Sequence, residues 1–208
     1  MKNIAALLKW FIPCIAILLQ GCENNDSDEE VTVTPSVLNS FGFTLNGESW
    51  RPHTNDNNEC IQTFNCSSWA LSGNREIPFY TIRAFRDPNG KTGENSENIV
   101  RFQLRDVSDT RSYTISGSYK EDFSSYVLFI INKSDGTSTR YINAMDQDAF
   151  FARVDDFIPI EGFSRQGIKG SFFGTLYNEE DSSDSLAIEK GTFTFEKINW
   201  SNYDQCPH

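Results

Sequence analysis

Histidine is nearly missing from this sequence, which contains only His53 and His208. Zinc enzymes and hydrolases with a Ser-His-Asp triad use histidine as a ligand or as a base. The sequence also lacks the motifs Gly-x-Ser-x-Gly, Gly-x-x-x-x-Gly-Lys-Ser/Thr and His-Glu-x-x-His. We interpret His53 as a loop residue after Trp50, and we expect no metal, no other cofactor and no catalytic activity.

Basic side chains are scarce as well. Lysine and arginine total 18 against 29 acidic side chains, which gives a formal net charge of −11. Nucleic-acid binding depends on basic side chains that displace counterions from the phosphates. The composition therefore predicts that this protein has no nucleic-acid partner.

A long apolar run is the third absence. Residues 10–19 carry no charge, but this segment is about half as long as the roughly 20 residues that a transmembrane helix needs. Lys2 and Lys9 precede it and the small residue Gly21 follows it, in the order typical of an export signal. We predict a signal peptide over residues 1–21.

The residues Leu19-Gln20-Gly21-Cys22 resemble the lipobox of bacterial lipoproteins. The resemblance implies cleavage before Cys22, a diacylglycerol thioether on its sulfur, and an acylated, palmitate-bearing mature N-terminus. Several acyl chains together anchor a protein stably in a bilayer. Lipidation at Cys22 therefore predicts a membrane as one partner.

Residues 22–38 are predicted to form a flexible tether that leads to a single β domain over residues 39–208. Every position from Glu23 to Glu30 except Ser27 is Asp, Glu or Asn, and such a segment buries too little apolar surface to fold. An acidic run after a lipidated cysteine resembles the surface-export signal of Bacteroidetes outer-membrane lipoproteins. The resemblance implies an outer-membrane protein exposed at the cell surface.

Three cysteines remain in the predicted domain: Cys60, Cys66 and Cys206. Export places them in an oxidising compartment, where one disulfide and one odd thiol are the simplest arrangement. The short spacing favours a bridge between Cys60 and Cys66. A bridge from either of them to Cys206 is the alternative.

The predicted domain contains turn sequences at the spacing typical of antiparallel β structure. Asn46-Gly47 and Asp135-Gly136 separate pairs of apolar or alternating runs, which is the pattern of a tight hairpin, and Asp87-Pro88-Asn89-Gly90 marks another turn. Further short runs rich in aromatic or β-branched residues predict strands. These runs are Ser68–Ser72, Phe79–Arg86, Ile99–Arg105, Tyr113–Ser118, Tyr126–Lys133, Thr137–Ile142, Phe150–Asp155, Ile168–Tyr177, Ser185–Ile188 and Thr192–Ile198.

Two of these runs carry further information. Residues 126–131 are apolar throughout and predict a central strand that is covered on both faces. Gly170 and Gly174 lie inside one strand, where glycine marks a bulge or a close approach of the backbone. We predict an all-β domain of about eight to ten antiparallel strands, either a β-sandwich or a closed or partly open barrel.

The opening Phe41-x-Phe43-x-Leu45-Asn46-Gly47-x-x-Trp50 and the closing strands resemble small Bacteroidetes outer-membrane lipoproteins of uncharacterised function. In the closing strands, the resemblance rests on Ile168-x-Gly170-x-Phe172-x-Gly174-x-Leu176 and Gly191-x-Phe193-x-Phe195. It implies an antiparallel β domain on an outer-membrane tether and assigns no catalytic residue.

Two groups of carboxylates are candidates for chemistry. Asp155, Asp156 and Glu161 cluster near a strand end, and a glycosidase needs two carboxylates roughly 5 to 9 Å apart. The run from Glu179 to Asp184 offers oxygen ligands of the kind that calcium prefers, but it lacks EF-hand spacing. We interpret both groups as solvated loop charges.

Exposed aromatic side chains on a β domain are candidates for stacking against sugar rings. Trp69, Trp200 and Tyr203 are the candidates here. Trp200 and Tyr203 lie in a polar stretch after the last predicted strand, where we expect exposure. We therefore expect a binding or accessory module whose partner is a glycan or another envelope protein. The alternatives are a lipocalin-like carrier of an apolar ligand and a carboxylate-dependent glycoside hydrolase.

Overall fold

The computed structural model describes residues 39–53, 63–73, 75–144 and 149–199. Its strands, in chain order, are β1 (Asn39–Leu45), β2 (Glu48–Trp50), β3 (Phe64–Leu71), β4 (Ile77–Arg86), β5 (Asn98–Arg105), β6 (Ser112–Ile115), β7 (Tyr126–Asn132), β8 (Ser138–Asn143), β9 (Phe150–Ile158), β10 (Gly167–Asn178) and β11 (Ser185–Phe195). A 3-10 turn, Gly93–Asn95, lies between β4 and β5. No helix among the described residues has the length and apolar character of a membrane span.

The 11 strands form one antiparallel sheet in the order β2-β1-β11-β10-β8-β7-β5-β4-β3. The sheet forks at β10, whose first half pairs with β9 and whose last residues, Leu176 to Asn178, pair with β8. β6 then pairs with the edge of β9 that β10 leaves free. The sheet is strongly curled into an open half-barrel, so the partly open barrel among the predicted architectures is confirmed, with 11 strands instead of eight to ten.

Glycines in β10 allow the sheet to curl. The pairing register shifts at Gly170 against β9 and at Gly174 against β11, and Gly174 has a φ of +151°. A Cβ on Gly170 would lie 2.1 Å from the carbonyl oxygen of Arg153 and 2.5 Å from the ring of Phe193. The prediction of bulges or close approaches at these two glycines is confirmed, because neighbouring backbone and rings occupy the space that a side chain would need.

Aromatic rings fill the inner face of the half-barrel. Phe172 is 2% exposed, and its ring stacks on Phe41 with centroids 5.4 Å apart. Trp50 stacks on Phe43 at 4.7 Å, and the ring of Phe129 meets both in edge-to-face geometry. Aromatic pairs of this kind stabilise the folded state beyond the burial of their apolar surface. The inner face is therefore the main source of stability.

The outer face carries a second, smaller apolar cluster, made by Phe85, Ile99, Leu128 and Ile130. Leu128 and Ile130 alternate along β7 with Val127 and Phe129, which belong to the inner core. Residues 116–125 contribute Tyr119 to the cover of this outer cluster. The prediction of a central strand buried on both faces is therefore confirmed for β7.

The edge strand β3 is paired with Asn199 on its free side. The backbone N–H of Asn199 donates to the Cys66 carbonyl, and its side-chain amide exchanges two hydrogen bonds of 2.7 Å with the backbone of Ser68. One amide side chain thus satisfies backbone groups that a neighbouring strand would satisfy in a closed barrel. This capping removes part of the edge that would otherwise be free to pair with another chain.

The predicted strands are present, with one difference at the C-terminal end. Ser185–Ile188 and Thr192–Ile198 were expected as two strands, but β11 runs unbroken from Ser185 to Phe195. Lys190 has a φ of +52°, and the β1 register shifts beside it, so the polar residues between the two runs form a bulge instead of a turn.

Candidate functional site: a cleft on the outer face

A cleft of about 480 Å³ opens on the outer face where β8 and β10 meet. Ile142 and Tyr177 are directly paired across these two strands and form its floor. Tyr119 makes one wall, and the turn that joins β10 to β11 makes the other. We call this the outer cleft; its lining residues are Gly117, Ser118, Tyr119, Ile142, Asn143, Ala144, Tyr177, Asn178, Glu179 and Ser182.

Buried amides hold the wall that carries Tyr119. Asn143, at the end of β8, donates from its side-chain nitrogen to the Gly117 carbonyl at 2.9 Å and accepts from the Val127 backbone at 2.8 Å. Gln103 of β5 donates to the carbonyls of Ser124 and Asp122 at 2.8 and 3.3 Å. Segment 116–125 is therefore fixed to the sheet at both ends, which gives the cleft a preformed wall.

Glu179 closes one side of the cleft. Its carboxylate accepts a hydrogen bond from the hydroxyl of Tyr119, 2.9 Å from Oε2, and it forms an ion pair with Lys120. The bond from Lys120 lowers the pKa of Glu179, with a smaller contribution from Tyr119. Burial, followed by the bond to Glu179, raises the pKa of Tyr119.

A second carboxylate supports the turn behind the cleft. Asp184 accepts from the Tyr141 hydroxyl at 2.8 Å and from the side-chain nitrogen of Asn178 at 2.9 Å. Burial, together with this carboxylate, raises the pKa of Tyr141 to about 12. The contacts orient Asn178 at the edge of the cleft and connect the turn to β8.

The lining of the outer cleft combines apolar surface with a few fixed polar groups. Aromatic and aliphatic side chains supply its walls and floor, and a few fixed polar groups supply direction, as in small-molecule sites generally. A glycosidase needs a carboxylic acid whose pKa is raised so that it is protonated near neutral pH. Glu179 has a lowered pKa and is ionised, so it is suited to accept hydrogen bonds and not to donate a proton.

The first predicted carboxylate group does not converge on a cleft. Asp155, Asp156 and Glu161 are all exposed. Asp155 forms an ion pair with Arg153 at 2.9 Å. Asp156 lies opposite Lys169 across the β9–β10 pair. These contacts agree with their interpretation as solvated charges.

The acidic run from Glu179 to Asp184 forms the β10–β11 turn, and its carboxylates bind separate partners. Asp181 accepts from the backbone and hydroxyl of Ser183, Glu179 binds Tyr119 and Lys120, and Asp184 binds Tyr141. Within the described ranges, no group of three or more metal-ligating side chains is found.

Trp69 is half-buried on the outer face of β3. Its indole stacks on the ring of Phe79 at 4.1 Å, and its nitrogen donates to the Thr81 hydroxyl at 3.2 Å. Phe123, which is 47% exposed, lies 6.2 Å from Trp69. One face of the indole is thus occupied by the protein itself, and the other predicted binding residues, Trp200 and Tyr203, lie outside the described residues.

The cysteine and anchor predictions also fall largely outside the described part of the chain. Cys66 is buried and forms no disulfide with another described residue, and burial raises the pKa of its thiol. Cys60 and Cys206 are not among the described residues, so either bridge stays a prediction. The signal peptide, Cys22 and the tether lie outside them too.

His53 lies beside β4, away from the outer cleft. Its Nδ1 is 3.1 Å from the Phe85 carbonyl, and its Nε2 is buried without a hydrogen-bond partner. We place no function on it.

Sequence reasoning missed Tyr119 and Tyr177 as site residues. Both lie in runs that give no motif, and only the pairing of β8 with β10 brings Ile142, Tyr177 and segment 116–125 together. The one available signal was the polar stretch Gly117-Ser118-Tyr119 directly after a strand-like run.

Comparison with known proteins assigns no activity to this fold. No curated protein and no solved structure matches the chain. A family model, described as a domain of unknown function (DUF5025), matches residues 38–196, which include all 11 strands and the whole outer cleft. The chain therefore belongs to the DUF5025 family.

Proposed function

We propose that this protein is a lipid-anchored outer-membrane lipoprotein, exposed at the cell surface, whose β domain is a non-enzymatic binding module. The ligand site is the outer cleft, and the ligand is a glycan or a segment of another envelope protein. The observation that carries the proposal is the cleft itself, which has a rigid aromatic wall, a cross-strand floor and an ionised acceptor.

The packing of the inner face supports an outer site. A lipocalin-like carrier needs a free apolar cavity inside its barrel, whereas rings of Phe41, Phe102, Phe150, Phe172 and Phe193 pack against one another there. The lowered pKa of Glu179 likewise supports binding over hydrolysis. We therefore place the ligand outside the half-barrel.

The anchor is tested by the mass and location of the mature chain. We expect the membrane fraction to contain a chain that begins at Cys22 with added diacylglycerol and acyl mass, and Cys22→Ser to release the protein from that fraction. An unmodified chain in the membrane fraction would contradict lipidation. Protease applied to whole cells, with a periplasmic protein as control, tests exposure at the surface.

The cleft is tested with a matched pair of aromatic variants on one segment. Tyr119→Ala removes a wall of the cleft, whereas Phe123→Ala removes an exposed ring outside it. The lipidated protein in detergent is applied to arrays of glycans and of envelope-protein peptides. We expect a ligand that Phe123→Ala retains and Tyr119→Ala loses; loss by Phe123→Ala alone, or no ligand on either array, would overturn the proposal.

A further inference from the structure

The outer cleft is lined by fewer charged side chains than the acidic composition of the protein would suggest. Glu179 is the one charged residue among the described residues that line it, although the protein as a whole has a formal net charge of −11. Lys120 pairs directly with Glu179, and the positive charge of Arg140 further lowers its pKa. The charge of Glu179, the acidic residue among the described lining residues, is therefore matched by neighbouring basic side chains.

This matching decides which charge a ligand can carry. A cationic ligand finds no uncompensated carboxylate among the described lining residues. An acidic ligand is repelled by the net charge of the protein. A neutral ligand meets neither problem. The local electrostatics thus favour an uncharged molecule.

The hydrogen-bonding groups of the cleft have capacity left. The Glu179 carboxylate has about four acceptor positions, of which Tyr119 and Lys120 use two. The Asn178 side chain donates to Asp184, which leaves its second N–H, and it accepts from the Glu180 backbone. Donors and acceptors of this kind match the hydroxyls of a polyol, in particular two neighbouring hydroxyls on one carboxylate.

The walls provide the complementary apolar contact. Tyr119 and Tyr177 are both half-buried, and Tyr177 lies on the floor beside Ile142. A pyranose ring presents C–H groups on one face and hydroxyls at its rim, so an aromatic surface beside fixed polar groups suits both. The cleft volume of about 480 Å³ falls within the range of small-ligand sites.

We infer that the outer cleft binds a neutral sugar unit of a glycan, with an aromatic wall against the ring face and Glu179 accepting from ring hydroxyls. This inference rests on the proposed binding function and narrows its ligand. Lys120 is a positioning residue, because its ion pair orients the Glu179 carboxylate and compensates its charge.

The test measures the affinity of the lipidated protein in detergent for three classes of trisaccharide by calorimetry. The neutral class contains cellotriose, mannotriose and xylotriose, the acidic probe is trigalacturonate, and the cationic probe is the glucosamine trimer. Wild type is compared with Tyr119→Ala, Glu179→Gln and Lys120→Met, and near-ultraviolet circular dichroism checks that each variant is folded.

We expect a neutral trisaccharide to bind, and both Tyr119→Ala and Glu179→Gln to weaken it about tenfold or more, as loss of one stacking or charge-assisted contact does. Lys120→Met leaves the carboxylate uncompensated, so we expect it to lower the affinity for the neutral sugar and to create affinity for the glucosamine trimer. A merely structural role for Lys120 would not produce that change of preference.

The opposite outcomes separate this inference from the proposed function. If the wild type prefers a charged trisaccharide or a peptide, and Tyr119→Ala abolishes that binding, the neutral-sugar inference is wrong and the binding module stands. If a neutral sugar binds but the three cleft variants bind it as the wild type does, the assignment to the outer cleft is wrong. If none of the neutral trisaccharides binds, the inference falls.

Discussion

The inner and outer faces of β10 carry phenylalanine at adjacent positions with opposite consequences. Phe172 is 2% exposed and contacts the rings of Phe41, Phe102 and Phe193. Phe173 is 55% exposed and has one ring neighbour, Phe151, at 5.6 Å. The same residue type is packed in the core on one side of the strand and is exposed to solvent on the other.

The same contrast extends over the sheet. The inner face is closed by ring-on-ring packing within a large cluster of buried hydrophobic side chains. The outer face is covered in part by segment 116–125, which is held through amides such as Gln103 and Asn143 and leaves the outer cleft at its border. A close-packed core accepts no ligand without repacking, whereas a polar-lined cleft at the border of the sheet can accept one.

The sharpest test of this comparison replaces the two phenylalanines in turn. Phe172→Ala should lower the free energy of unfolding by about 3 to 5 kcal/mol, because it leaves a cavity in a close-packed core. Phe173→Ala should change it by less than about 0.5 kcal/mol, as exposed positions do. Chemical denaturation of both variants gives the two values, and similar losses would contradict the division between the faces.

Gly170 tests how closely the backbone and rings approach one another. Gly170→Ala places a methyl group against the Arg153 carbonyl and the Phe193 ring, so we expect a loss of about 1 to 3 kcal/mol in the free energy of unfolding from overpacking. Ser171→Ala, on the opposite face of the same strand, is the control and should cost under about 1 kcal/mol. A stable Gly170→Ala variant would show that the curl of β10 has room to adjust.

Gln103 tests the attachment of the outer wall. Gln103→Leu removes two hydrogen bonds to segment 116–125, so we expect a loss of about 1 to 3 kcal/mol. Hydrogen exchange should become faster in residues 116–125 while the inner strands stay protected. Gln166→Leu, at an exposed position, is the matched control; unchanged exchange in Gln103→Leu would mean that other contacts hold the segment.

Tyr141 gives an effect that appears only at high pH. Burial and the bond to Asp184 raise the pKa of Tyr141 to about 12 in the folded protein, so the unfolded chain loses this proton first as the pH rises. The stability that this group contributes is complete below its unfolded pKa and is lost as the pH rises through the folded pKa.

We therefore expect the wild type to lose about 2 kcal/mol more than Tyr141→Phe between pH 10 and pH 12. Denaturant unfolding of the two proteins across that range measures the difference. Parallel curves would show that folding does not raise the pKa of Tyr141 through burial and the bond to Asp184.

Several features of the fold follow from local patterns. The Asn46-Gly47 and Asp135-Gly136 turns, the alternation in β1 and β9, and the apolar run of β7 were readable because turn geometry and strand periodicity act over a few residues. The unbroken β11 was not readable. Its polar interruption at 189–191 resembles a turn unless the bulge against β1 is known.

The candidate site was less accessible to such reasoning. Trp69 was chosen as an exposed aromatic, yet its face is covered by Phe79, its partner across the β3–β4 pair. Tyr119 and Tyr177 were not chosen, because their proximity depends on which strands pair. Exposure and convergence are properties of the assembled sheet, and a single run of residues does not contain them.

The amino-acid sequence by itself determined the all-β class, the turns, the central strand and the glycines that admit close approach, because each depends on the conformational freedom and apolar spacing of a few neighbouring residues. Only the tertiary structure decided that the sheet curls into an open half-barrel, forks at β10 and leaves a cleft beside Tyr119 and Glu179. Those features arise from pairing between strands far apart in the chain, where the burial of aromatic rings and the hydrogen bonds of buried amides select one arrangement among many.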